Sequence, residues 1–161
     1  MTLTANGLIN QADETHPVPK EILANFIGFI VSTGNLINGR KTFELLRQSP
    51  SMKSFPNAEL VVVSRQKQNT GRAFVANSPR QALDHLRHLN FSTALIAGGT
   101  QLNSAFHSEC LVNEIYLNMV PTLNSNGIRL TLAKDLEADL ELIGTNRLNK
   151  HIIQLHYKAF R

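Results

Sequence analysis

The chain has 161 residues, 42% apolar and 17% charged, with a formal net charge of +4. That length fits one domain with a core that needs no staples, and no apolar run approaches the about 18 residues of a membrane span. No basic-then-apolar leader opens the chain, so no signal peptide is expected. A single cysteine, Cys110, excludes an internal disulfide and fits a reducing cytoplasm. Its neighbours Phe106, Leu111 and Val112 predict a buried, inert thiol. The positive charge calls for an anionic partner. With no basic run, no Trp and 6% aromatic residues, a stacking surface for nucleic acid is hard to build. A few cations around a phosphorylated small molecule account for the same balance.

In chain order, Met1 to Thr4 reads as the end of a strand, followed by an Asn6-Gly7 turn and a polar loop over 10–18. Pro19 opens a helix carrying Ile22, Leu23, Phe26, Ile27 and Ile30 at helical spacing, and Gly34 ends it. Asn35 to Asn38 is a short strand. A short helix over Thr42 to Arg47 follows and stops at Pro50. Glu59 to Ser64, with three valines inside, suits a parallel strand buried on both faces. Ala73 to Val75 is a further short strand. Ser78-Pro79-Arg80-Gln81 has an N-cap, a proline at the first helical position and a glutamine three residues after the cap, a strong helix start. Ala94 to Ala97 reads as a strand running into Gly98-Gly99, with Thr100 as N-cap of the next helix. Asn113 to Val120 is a long strand, Gly127 marks a loop, and Leu140–Thr145 with His151–Tyr157 form a C-terminal antiparallel hairpin. Strands alternating with helices predict an α/β fold: a mainly parallel central sheet with helices on both faces.

Three strand ends share one chemistry: Gly39-Arg40-Lys41-Thr42, Ser64-Arg65 and Gly98-Gly99-Thr100. Glycine brings bare backbone near a ligand, and a helix N-terminus offers free N–H groups and a positive dipole end. Arginine adds paired, charge-assisted bonds to a phosphate. If the strands are parallel, all three clusters lie along their carboxyl edge, where α/β sheets bind ligands. Neither a P-loop nor the Gly-x-Gly-x-x-Gly fingerprint is present. His85 and His88 lie three apart on one helix, but nothing completes a metal signature. A nucleophilic serine elbow is also absent.

These motifs carry a resemblance. Thr2-Leu3-Thr4-Ala5-Asn6-Gly7-Leu8-Ile9 resembles the opening Ser-Leu-Asp-Gly-Lys-Ile stretch of the dihydrofolate reductase-like superfamily, in its riboflavin-biosynthesis branch. Asn38 to Glu44 resembles that branch's Gly-Arg-x-Thr element, and Leu95 to Gly99 its Gly-Gly strand end. Leu111-Val112-Asn113-Glu114, the strand after it, Val120-Pro121 and Gly127 resemble its Leu-Val-Asp-Glu, strand, proline, glycine segment. The match spans the whole chain as a single reductase-like domain over 1–161. The family has a full first strand before its opening stretch; here the chain starts almost on it, so the first strand is expected to be short or truncated. The family's Asp is Asn6.

The resemblance implies an NADPH-dependent reductase of riboflavin biosynthesis, similar to 5-amino-6-(5-phosphoribosylamino)uracil reductase, cytoplasmic and homodimeric, acting on a small molecule. A related reductase of a pterin or other carbonyl compound is the alternative, as is a non-catalytic nucleotide-binding relative. By position, Gly39, Arg40 and Thr42 would meet the cofactor pyrophosphate, with Gly98, Gly99 and Thr100 facing the same group. Ser64 and Arg65 would hold the 2′-phosphate, with Lys67 and Arg72 close behind. Asn6 and Gly7 would belong to the cofactor side as well. Glu21 is the acid near the start of the first helix, a proton donor by analogy or a carboxylate that simply favours the helix dipole.

Overall fold

The computed structural model describes residues 1–9, 17–66, 70–128 and 139–160. The α/β class holds. The first helix, α1 (Lys20–Thr33), carries Ile22, Phe26 and Ile30 four residues apart, and Gly34 at φ +70° turns the chain out of it. Contacts divide the chain into two compact units, Met1–Asn25 with Cys110–Arg161, and Phe26–Glu109.

The continuous unit, 26–109, holds a parallel sheet of β2 (Asn35–Gly39), β3 (Glu59–Val63) and β4 (Phe74–Ala76), in that order. Residues Asn35 to Asn38 of β2 are all buried, as a strand covered on both faces requires. The unit also holds α2 (Arg40–Gln48), α3 (Pro79–His88), α4 (Thr100–Ser108) and α1 from Phe26 onward. The chain does stop its helix before Pro50, but Pro50–Ser54 then forms a 3-10 turn, because the Ser49 hydroxyl accepts from the Ser51 N–H (3.3 Å). Ile30, Leu36, Phe43, Phe55, Leu60 and Val62 form the core, with Leu95 and Ala97 packed on it. The strand expected over Ala94 to Ala97 is reduced to one parallel bridge, Ile37 to Ile96. It still follows β2: Ile37 N–H donates to the Leu95 carbonyl (2.8 Å), and Ala97 N–H to that of Ile37 (3.0 Å).

The other unit is built from both ends of its sequence. Its sheet runs β1 (Thr2–Thr4), β5 (Glu114–Val120), β7 (Ile153–Phe160), β6 (Asp139–Arg147). β1 and β5 are parallel; β5, β7 and β6 are antiparallel, and β6–β7 is the expected C-terminal hairpin. β1 spans three residues. Ile22, Val120 and Ile152 form a small core with Leu148 against it. The β6 register shifts between Leu142 and Gly144.

Cys110 corrects one expectation: it is exposed, not buried. α4 ends at Ser108, and Cys110 lies at φ +55°, so the apolar spacing of Phe106, Leu111 and Val112 does not continue through it. The loop over 10–18 and Lys67 fall wholly or mostly outside the described residues.

Candidate functional site

In the unit 26–109, three strand ends lie on one sheet edge. β2 and β3 stay in register to Gly39 and Val63, and the bridge at Ile96 is parallel to β2 on its other side. Gly39-Arg40, Ser64-Arg65 and Gly98-Gly99 therefore leave the sheet side by side at its carboxyl edge. Backbone bonds hold them there. Gly39 N–H donates to the Gly98 carbonyl (2.9 Å), and Ser64 N–H to the Ala76 carbonyl (2.9 Å). Asn35, wholly buried, ties down the start of the Gly-Gly segment. Its carboxamide donates to the Thr93 carbonyl (2.7 Å) and accepts from the Leu95 N–H (3.0 Å).

The helices leaving this edge differ at their starts. α3 is closed by its own side chains: the Ser78 hydroxyl accepts from the Gln81 N–H (3.2 Å), and the Gln81 carboxamide oxygen accepts from the Asn77 N–H (2.6 Å). α2 and α4 start on Gly39 and Gly99, and neither has a side-chain cap bond. Their first N–H groups and positive dipole ends thus face outward from adjacent positions, an arrangement that suits the oxygens of a diphosphate. Thr100, expected as N-cap, is instead the first helical residue of α4; Gly99 is the cap because its backbone is extended (φ −69°, ψ −166°). Positive φ falls on Gly98 (+73°), and the Gly98–Gly99 peptide is cis.

The side chains around these turns are placed as follows. Arg40 is the first residue of α2 and holds Glu44 (3.3 Å), one turn along, with both groups well exposed. A Cβ on Gly99 would stand 3.6 Å from Thr42 Oγ1, so Thr42 and Gly99 are neighbours. The Ser64 hydroxyl closes its own turn, donating to the Gln66 carbonyl (3.1 Å) and accepting from the Gln66 N–H (3.2 Å). Arg65 and Arg72 are exposed.

Asn6, Gly7 and Glu21 belong to the other unit. Asn6 is occupied locally: its oxygen accepts from the Thr4 hydroxyl (2.8 Å), and its Nδ2 donates to the Asn124 carbonyl (2.7 Å). It ties the turn after β1 to the loop after β5. Gly7 makes that turn at φ +79°. Glu21 lies in the first turn of α1, where a carboxylate favours the helix dipole. Sequence reasoning passed over three carboxamides in this unit, Asn25, Asn118 and Gln154, which gather on α1, β5 and β7. A polar residue inside an apolar helix or strand was the available signal. Among the described residues no group of three or more His, Cys, Asp or Glu could hold a metal. His85 instead bonds Glu59 (2.7 Å) and stacks on Phe74 (3.7 Å).

No family model and no curated protein matches this sequence. Solved structures do match. A candidate riboflavin biosynthesis protein of Shewanella sp. PV-4 superposes with a TM-score of 0.75 at 17% identity, covering 100% of this chain and 97% of its own. A pyrimidine reductase-like protein of Corynebacterium diphtheriae gives 0.75 at 14% identity over 99% of this chain and 90% of its own. The chain has the fold of these two proteins. A Thermotoga maritima diaminohydroxyphosphoribosylaminopyrimidine deaminase/5-amino-6-(5-phosphoribosylamino)uracil reductase gives 0.69 at 12% identity; 99% of this chain is covered but only 55% of that one. The chain thus spans just over half of the bifunctional enzyme. The shared fold is the one expected from the motifs' resemblance to the riboflavin-biosynthesis branch. Among the described residues no helix is long and apolar enough to cross a membrane.

Proposed function

We propose that the chain is an NADPH-dependent reductase that acts on a ribosylamino-pyrimidine of the riboflavin-pathway type, in the cytoplasm. One observation carries the reading: the two glycine-started helices, α2 and α4, joined by the Gly39–Gly98 hydrogen bond (2.9 Å) at the carboxyl edge of a parallel sheet. The fold shared with pyrimidine reductases supports it.

In this reading the cofactor supplies the hydride, and the chain supplies position and electrostatics. The first N–H groups of α2 and α4 hold the diphosphate, with Thr42 and Thr100 beside them. Arg40 swings from Glu44 to a phosphate oxygen, exchanging an exposed ion pair of small worth for a bidentate contact. Ser64 and Arg65 take the 2′-phosphate. The Ser64 hydroxyl spends its one proton on the Gln66 carbonyl and would have to leave that bond to reach a phosphate, so the ready donor there is Arg65. By the resemblance alone Glu21 would be the proton donor; in its own unit it is a carboxylate in the first turn of α1.

Fluorescence titration tests the cofactor. NADPH should bind at least tenfold more tightly than NADH, and Arg65→Ala should remove most of that preference. Equal dissociation constants for the two dinucleotides would end the assignment. Turnover is then read on 5-amino-6-(5-phosphoribosylamino)uracil as NADPH oxidation at 340 nm.

A further inference from the structure

The three carboxamides are a second set of groups that the cofactor edge does not use. Gln154 and Asn118 are a cross-strand pair on β7 and β5, 4% and 7% exposed, and Asn25 reaches them from α1. Gln154 spends both N–H donors on its neighbours: Nε2 donates to Asn25 Oδ1 (2.7 Å) and to Asn118 Oδ1 (2.8 Å). The three amides thereby hold one another in a single orientation. What remains is the Gln154 oxygen and the Nδ2 groups of Asn25 and Asn118. Among the described residues these atoms have no hydrogen-bond partner, and no fully buried polar side-chain atom lacks one. The three groups therefore face accessible space. Atoms that reach accessible space pair with water or with a ligand, so one donor-acceptor edge of the cluster is open to a bound molecule.

We propose that Asn25, Asn118 and Gln154 form a recognition edge for a planar heterocycle bearing a ring –NH–CO– unit. The ring N–H donates to the Gln154 oxygen, and the adjoining ring carbonyl accepts from Asn25 or Asn118 Nδ2. Carboxamides fixed by one another can neither ionise nor swap donor for acceptor without breaking both internal bonds. The edge therefore discriminates by hydrogen-bond pattern rather than by charge: a ring that lacks the N–H leaves a buried oxygen unpaired, which binding sites reject strongly. Glu21, four residues before Asn25, shares its face of α1 and so lies one turn from the same edge. The choice of ring rests on the reductase reading above; the donor and acceptor set does not.

The test uses the whole chain and 5,6-diaminouracil as probe, followed through the side-chain amide resonances in nitrogen-15 spectra. The Asn25, Asn118 and Gln154 amides should shift saturably, and 1,3-dimethyl-5,6-diaminouracil, which has no ring N–H, should bind at least tenfold more weakly. Asn118→Leu should weaken the probe tenfold or more while the NADPH dissociation constant stays within twofold. Asn25→Ala, at a half-exposed helix position that does not threaten folding, should weaken it threefold or more. Equal affinity for the two uracils, unmoved amide resonances, or full probe affinity in Asn25→Ala would each overturn the proposal. Failure of NADPH to bind the wild type, with the amide shifts intact, would instead sink the reductase reading and leave the recognition edge standing.

Discussion

Gly98 and Gly99 are adjacent and do different things. Gly98 holds φ +73°, where a side chain costs about 1–2 kcal/mol. Gly99 has ordinary φ, and its nearest obstacle to a Cβ is Thr42 Oγ1 at 3.6 Å. Gly98→Ala should therefore lower the melting temperature by about 2–8 °C. Gly99→Val should leave stability nearly unchanged and weaken NADPH tenfold or more, because its side chain fills space beside the bare helix start. Parallel melting curves and NADPH titrations on both variants separate strain from occlusion. The pair of glycines was legible in the sequence; which one bears the positive φ was not, since that depends on the Gly39–Gly98 bond to a strand some sixty residues away. A titration belongs to this scale too. Burial lowers the pKa of His107 below its ordinary 6.5. The unfolded chain then takes up this proton first, so the stability tied to a neutral His107 is present above pH 6.5 and is lost as the pH falls toward the folded pKa. His107→Gln should flatten that part of a denaturant-midpoint profile between pH 7 and 5. A profile as steep as the wild type would assign the loss to other groups.

At the scale of elements, the contrast among helix starts gives a prediction with two opposite signs. Gly39 has extended, cap-compatible backbone (φ −74°, ψ 156°). Gly39→Asp should cap α2 and raise stability by a few tenths of a kcal/mol. The same carboxylate sits where a phosphate would bind, so NADPH affinity should fall more than tenfold. If both quantities stay unchanged, the N-terminus of α2 is not an anion site. The Ser78 cap of α3 is the matched control: Ser78→Ala should cost about 1 kcal/mol without touching affinity. Local chemistry announced α3 in full, from Ser78-Pro79 to Gln81. It also announced β3, whose valine run reads as a doubly covered strand. It overstated the strand before Gly98. Ile96 does pair with Ile37, but only one bridge forms, because regular pairing requires matched geometry over several residues and not only apolar content. Asn118 could have been noticed as a polar residue in an apolar strand. Its partner Gln154 lies 36 residues away, and Asn25, which Gln154 bonds in turn, lies 129 residues from Gln154, separations that periodicity does not span.

For the whole molecule, β6 is an edge strand of nine residues with Leu140, Leu142 and Ile143 exposed at 43%, 51% and 46%. Phe160, paired with Asp139 across the hairpin, adds 42%. An apolar edge of this kind calls for a cover, and we propose that a second copy of the chain supplies it. Light scattering at micromolar concentration should report about twice the 17.9 kDa chain mass, and Leu142→Lys with Ile143→Lys should return the monomer. A wild type that stays at the single-chain mass would overturn this. The hairpin was visible from alternation alone. The division of the strands between a parallel sheet and a separate, mainly antiparallel one was not, since β1–β5 and β5–β7 pairings join residues far apart in the sequence. That division has a consequence for synthesis. Residues 26–109 form their unit from one uninterrupted stretch, so every residue it needs has been synthesised before Cys110 is added. The unit made from the two ends must wait. β7 is the middle strand that joins β5 to β6, and it is the last of these four strands to be translated, so β1 has no finished sheet to join until β7 emerges. A nascent chain arrested with residue 109 just clear of the exit tunnel should already protect Val61 and Val62 from amide exchange, whereas Leu3 and Thr4 should remain open until Ile153–Phe160 is released.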